Sequence, residues 1–174
     1  SSGSSGTDIS AADPTLVSYL DQQLNTIGGS IGVLAESLGY SSERIGSYTE
    51  QITLNLRGMN ADQAQEAITK RLQQFSDNLS RLVVPGLRFM SKEGESSSET
   101  LARLANSLST VNTTYGIMNI TMMELSLNSA QAASDLVDLT GGLDEFRQKT
   151  DFIYNNFYSQ QERVAQMTQQ VADV

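Results

Sequence analysis

The segment "NADQAQEAITKRLQQFSDNLSRLVVPG", residues 60–86, decides the fold class of this 174-residue chain. Asn60 and Gln63 have the spacing of a capping box, in which each side chain satisfies a backbone N–H left open by the first helical turn. Behind them Ala64, Ile68, Leu72, Phe75, Leu79 and Leu82 recur every three or four residues, which makes one face of a helix apolar. Pro85-Gly86 ends it, because proline cannot continue the hydrogen-bond ladder. A helix of this kind turns its stripe toward a core.

The same grammar recurs on either side. Downstream, "KEGESSSE" (Lys92 to Glu99) is a polar turn whose Ser96 and Glu99 cap a further helix striped by Leu101, Leu104, Leu108 and Val111. Upstream, Asp13-Pro14 reads as an N-cap with proline at the first helical position. Leu16, Leu20, Leu24 and Ile27 then mark one face until Gly28-Gly29. A second short helix (Ile31, Leu34, Ala35, Leu38) ends at Gly39. Between these helical patterns "QITLNLRG" changes period: Ile52, Leu54 and Leu56 alternate with Thr53, Asn55 and Arg57, as in a half-buried strand near 50–57. Its partner is expected in the preceding "IGSYT", as a hairpin, or in another chain. Residues 112–127 fit neither template and read as irregular to helical, with Met118, Met122 and Met123 read as core filling in preference to a soft contact surface.

From Asn128 the helical pattern returns, pauses at Gly141-Gly142 and resumes. Leu143, Phe146, Thr150, Ile153, Phe157, Gln160, Val164, Met167 and Val171 follow one another at three- and four-residue steps, a heptad seam running to the end of the chain. Such a seam packs on a neighbouring helix or on a copy of itself. Leu143, Phe146, Ile153, Phe157, Val164, Met167 and Val171 are therefore the expected self-association residues, with Thr150 and Gln160 as polar interruptions that fix register. The fold class is mainly α: several amphipathic helices with one short strand or hairpin, ending in a heptad-patterned helix. Residues 1–6 (SSGSSG) read as an added linker and 7–12 as a disordered lead-in. Residues 13–127 form a helical segment carrying the strand, and 128–174 a helical hairpin or coiled coil. With no initiator methionine after the linker, the chain reads as a piece of a longer protein.

Composition narrows the chemistry. Ser, Thr, Asn and Gln number 61 against 31 charged residues, and the net charge is −9, so no basic footprint for phosphate backbones exists. Nucleic-acid binding is not expected. The absence of Cys removes disulfides and thiolate metal sites, and the absence of His removes the commonest general base and metal ligand. No apolar run reaches the roughly 20 residues of a membrane span. No catalytic, cofactor-binding or metal-binding residue is assigned, and the chain is expected not to be an enzyme. A cell-wall-degrading activity would require a cleft carboxylate with sugar-binding aromatics, and the chain has no Trp.

"TGGLDEF", Thr140 to Phe146, is one leucine from the GGDEF signature of cyclic-dinucleotide synthases. That chemistry needs the glycines on a tight turn between strands, whereas here they separate two helical patterns and Leu143 shifts the acids out of register. A helix stop, followed by Asp144 and Glu145 at the positive end of the next helix, accounts for every residue. Asn78, Asn112 and Asn119 begin matches to the N-glycosylation pattern and read as helix surface or chance. Asp135 and Asp138 share a helix face but supply too few oxygens for a hard cation. "FIYNNFY", Phe152 to Tyr158, reads as aromatic packing at an interface.

"DLTGGLDEFRQKTDFIYNNFYSQQERVAQMTQQV", Asp138 to Val171, resembles a segment of the tail tape measure proteins of long-tailed bacteriophages and prophages. "ITLNLRGMNADQAQEAI" (Ile52 to Ile68) resembles a strand-then-helix unit found there, and "EGESSSETLARLANSLSTVN" (Glu93 to Asn112) a recurrent block. Together, in the family's order, they cover about two thirds of the chain. The resemblance implies a structural protein of the virion, assembled in the bacterial cytoplasm and lodged in the tail lumen. It would be homo-oligomeric, with a trimer as the first expectation, in contact with tail tube and tail tip proteins, setting tail length and assisting DNA ejection. A helical bacterial signalling or protein-interaction module is the alternative, for which Pro85-Gly86 and the Gly141-Gly142 break are awkward.

Overall fold

The computed structural model of the chain describes residues 6–10, 14–43, 45, 51–152 and 155. Strand β1 (Gly6–Ser10) leads into α1 (Pro14–Ser37), then β2 (Gln51–Asn55), α2 (Ala61–Val83), a 3-10 turn (Leu87–Met90), α3 (Ser97–Ile117) and α4 (Leu127–Thr140). A further helix, α5, covers 143–152. The chain is mainly helical, as its periodicity requires. α1, α2 and α3 each pack against the other two, and α4 lies along α3.

Two helix starts follow local chemistry. At α2, Asn60 Oδ1 accepts from Gln63 N–H at 2.8 Å while Gln63 Oε1 accepts from Asn60 N–H at 3.1 Å. At α3, Ser96 Oγ accepts from Glu99 N–H at 3.3 Å and Glu99 Oε1 accepts from Ser96 N–H at 3.0 Å. Exchanging either cap for alanine costs typically about 1 kcal/mol. Beyond α2, Gly86 adopts φ +85° and turns the chain into the Leu87–Met90 turn.

The core gathers the stripes. Leu101, Leu104, Leu108 and Val111 of α3 are fully buried, against Phe75, Leu79 and Val83 of α2 and Leu24, Ile31, Ala35 and Leu38 of α1. Each such side chain contributes about 1.5–3 kcal/mol by leaving water. The α2 stripe departs from expectation at its end. Val83 is buried and Leu82 is 40% exposed, because a step of four from Leu79 keeps the inward direction here and a step of three does not.

Three expectations need correction. First, Gly28-Gly29 does not divide two helices: α1 is one helix of 24 residues. The inward stripe keeps phase across the pair, from Leu20 and Leu24 to Ile31 and Ala35, so tertiary packing holds both halves in line. Second, residues 7–10 are not a disordered lead-in, since with Gly6 of the linker they form β1. Third, the partner of β2 is β1, paired in parallel from Gly6 with Gln51 to Ser10 with Asn55, and not a hairpin arm. Parallel neighbours need a long connection, which α1 supplies. Burial of Ile52 (1% exposed) and Leu54 (8%) anchors this small sheet to the helices. Of "IGSYT", all but Ile45 lies outside the described residues, as does Asp13.

α3 runs to Ile117, and residues 118–126 form an irregular connector before α4, so the ambiguous 112–127 pattern is part helix and part loop.

Candidate interaction surfaces

The seam expected to self-associate begins inside the fold. Phe146 is 6% exposed and belongs to the core, and Leu143 packs against it half-buried. Thr150, one of the polar interruptions, donates its hydroxyl to the Phe146 carbonyl one turn earlier, which satisfies it without a partner helix. Ile153 lies outside the described residues, as do Phe157, Gln160, Val164, Met167 and Val171 and most of "FIYNNFY"; Phe152, off the seam, is 70% exposed.

The glycine pair before the seam is a helix junction. Gly141 and Gly142 take φ +106° and +125°; Gly141 N–H donates to Asp138 O at 3.1 Å and Gly142 N–H to Val137 O at 3.0 Å. These bonds close two carbonyls that the end of α4 leaves open. Asp144 and Glu145 follow as exposed residues of the first turn of α5, with Arg147 4.0 Å from Asp144. The setting is helix to helix, from α4 into α5, and not the strand-to-strand turn of the GGDEF signature.

An ion pair that sequence reading did not single out ties the turn before α3 to α4. The Arg103 Nε donates to Glu95 Oε2 at 2.8 Å and one of its terminal nitrogens to Oε1 at 3.0 Å, a bidentate pair. The same guanidinium donates to the Met90 carbonyl at 2.7 Å and to Ser134 Oγ on α4 at 2.6 Å. Both side chains are mostly buried, at 16% and 14% exposed. Glu95 also accepts from Lys92 N–H at 3.0 Å and from the Thr100 hydroxyl at 2.8 Å. The Arg103 hydrogen bonds hold its carboxyl at about 2 against the opposing effect of burial, with the Lys92 N–H and Thr100 contributing further. A carboxylate held this way stays ionised at neutral pH and neither gives nor takes a proton there. Only a glutamate eight positions before an arginine hinted at the pair, a spacing that means nothing until the turn folds back.

A second node holds the connector. Asn112, 8% exposed, donates its amide to Met123 O at 3.0 Å and accepts from Met123 N–H at 2.7 Å, as a sheet partner would. That pins the loop, yet Ile117, Ile120, Met122 and Leu125 around it remain about half exposed. Of the three expected core methionines, Met123 packs against the core, Met118 is intermediate and Met122 faces out, 56% exposed. Gly39 makes the loop's close approach possible: its φ is +84°, and a Cβ there would stand 2.6 Å from the Leu125 carbonyl oxygen.

The remaining sequence candidates fall on ordinary surfaces. Asn78 accepts from Arg81 at 2.6 Å, Asn112 is committed to Met123, and Asn119 sits exposed at φ 57°. Asp138 pairs with Lys92 at 2.9 Å, and Asp135 accepts from Gln131 at 2.9 Å. Among the described residues no three acidic side chains converge to hold a metal ion, and no helix is long and apolar enough to cross a membrane. The concavities among them are open grooves, such as the one where Thr110, Thr113 and Thr114 of α3 face Arg147, Thr150 and Asp151 of α5. Among the described residues the geometry offers packed helices and hydroxyl-covered faces.

No protein-family model, curated protein or solved structure matches this chain.

Proposed function

We propose that this chain is a folded, non-catalytic segment of a phage tail tape measure protein, acting in tail assembly by filling and joining space. The observation that carries the reading is the order of three resembling blocks along one chain. The first two blocks fall on local units, residues 52–68 on β2 and the capped start of α2 and 93–112 on the capping turn and most of α3, and the third opens at the end of α4 and crosses the Gly141-Gly142 junction into α5. Self-association falls to the later seam residues Ile153, Phe157, Val164, Met167 and Val171, since Leu143 and Phe146 serve the chain's own core. The oligomer, a trimer in the first instance, lies in the tail lumen against tail tube and tail tip proteins.

Folding changes the ruler arithmetic. A helix rises about 1.5 Å per residue, so 174 residues in one continuous rod would span about 260 Å. The longest helix among the described residues, α1 with 24 residues, spans about 36 Å, and α2 and α3 fold back beside it. The segment is then an end-piece of the rod and contributes little length. Electron microscopy of tails assembled on a tape measure lacking it tests this. Defective tips or failed ejection, with tails shortened by no more than about 40 Å, is the expected result. Tails of normal length that assemble and eject normally sink the proposal.

A further inference from the structure

Beyond that reading, and independent of it, we infer that residues 118–126 form a strap that opens and closes as one unit on a single latch, the side chain of Asn112. Both ends of the strap are fixed by the helices it joins. At the α3 end Asn119 takes φ 57° and the chain closes a Schellman turn. Ile120 N–H donates to Tyr115 O at 2.8 Å and Asn119 N–H to Gly116 O at 3.3 Å. At the α4 end Ser126 is the cap, its hydroxyl accepting from Ser129 N–H at 3.1 Å. Each helix is therefore finished by its own bonds, without help from the residues between.

Between those ends the strap is held lightly. Among the described residues, the backbone of 121–125 is hydrogen-bonded at Met123 alone, through the two bonds to the Asn112 amide. Met123 also packs against the core, whereas Ile120, Met122 and Leu125 are about half exposed and already meet water. Lifting the strap thus forfeits little burial. The latch, by contrast, is all or none. Asn112 is buried on a face of α3 that Leu108 and Val111 otherwise keep apolar. Breaking one of its bonds to Met123 leaves a buried donor or acceptor unsatisfied, while breaking both lets water satisfy every group. Half-open arrangements are the least favourable, so the strap has two states, clamped or released with Asn112 and Met123 hydrated. Release bares the part of the core under Met123 while α1, α2 and α3 keep their mutual packing.

Amide hydrogen exchange of the full chain, read by NMR, tests the strap. The Met123 amide should exchange about 100-fold or more faster than the Leu104 and Leu108 amides of α3, yet about tenfold or more slower than an unprotected amide. Its rate should not respond to low urea, since a local opening exposes little new surface. Leu79→Ala loosens the core at the other end of α3, where Arg81 and Asp77 of α2 bond Ser97 and Ser98. It should speed Leu104 and Leu108 about 30-fold or more and leave Met123 within about twofold. Asn112→Asp keeps the acceptor and loses the donor, setting a carboxylate oxygen against the Met123 carbonyl. At neutral pH it should strip the Met123 amide of its protection while Leu104 and Leu108 stay protected and the helical circular dichroism is kept. A Met123 amide that is unprotected in the parent, that follows Leu104 and Leu108 in urea or in Leu79→Ala, or that stays protected in Asn112→Asp overturns the inference. The parent's own exchange pattern decides even where a variant does not fold.

Discussion

Gly28-Gly29 and Gly141-Gly142 are the same dipeptide with opposite outcomes. At the first, the helix continues. Gly28 is buried, and a Cβ at Gly32, one turn on, would approach Ile45 Cδ1 to 3.2 Å, so the absent side chains make room for the segment that follows α1. At the second, both residues enter the left-handed region, the last carbonyls of α4 are capped, and Phe146 drops into the core four residues later. Glycine permits a break without commanding one. What decides is whether the next apolar residues bury best in phase with the preceding stripe or after a change of direction.

Four measurements break or sharpen this contrast. The largest effect should come from Phe146→Ala, which removes the side chain that rewards the turn. Urea unfolding should show a loss of about 3–5 kcal/mol, and an unchanged midpoint would mean the turn is set locally. Next comes a boundary held by charge. Glu95 titrates at about 2 when folded against 4.5 as its ordinary value. Because its folded pKa is lowered, its contribution is full above about 4.5 and is lost as pH falls toward about 2. The loss should be on the order of 2 kcal/mol, and Glu95→Gln should flatten that part of the stability profile.

Gly141→Ala should follow, at about 1–2 kcal/mol of destabilisation, because alanine at φ +106° meets its own carbonyl and the Glu145 side chain 3.2 Å away. The smallest change has the opposite sign. Gly29 is exposed and helical, and a Cβ there would meet nothing within 4 Å, so Gly29→Ala should stabilise by about 0.5–1 kcal/mol in thermal unfolding. Destabilisation there would show that α1 needs the flexibility its continuous hydrogen bonding conceals.

The seam shows why the candidate surface was only half legible. Its periodicity placed Leu143 and Phe146 on one helix face, and the structure keeps them on one face. Periodicity says that a stripe must be covered and is silent on what covers it. For these two residues the cover is the chain's own core. The Arg103–Glu95 pair and the Asn112–Met123 clamp left no periodic trace at all, since polar side chains meeting across a turn obey no repeat. The connector residues around Met122 escaped both helical and strand templates for the same reason.

What the sequence determined by itself is the set of capped and striped helices: the boxes at Asn60 and Ser96, the stops at Pro85-Gly86 and Gly141-Gly142, and the inward leucines of α3. Caps, turns and stripes act through residues three or four apart, so their chemistry is complete within a short window. Only the tertiary structure decided that α1 runs through its glycines, that β2 pairs with residues 6–10, and that Arg103 joins Glu95 to Ser134. Each of those choices compares burial and hydrogen bonding between segments far apart along the chain, and that free energy exists only once the segments meet.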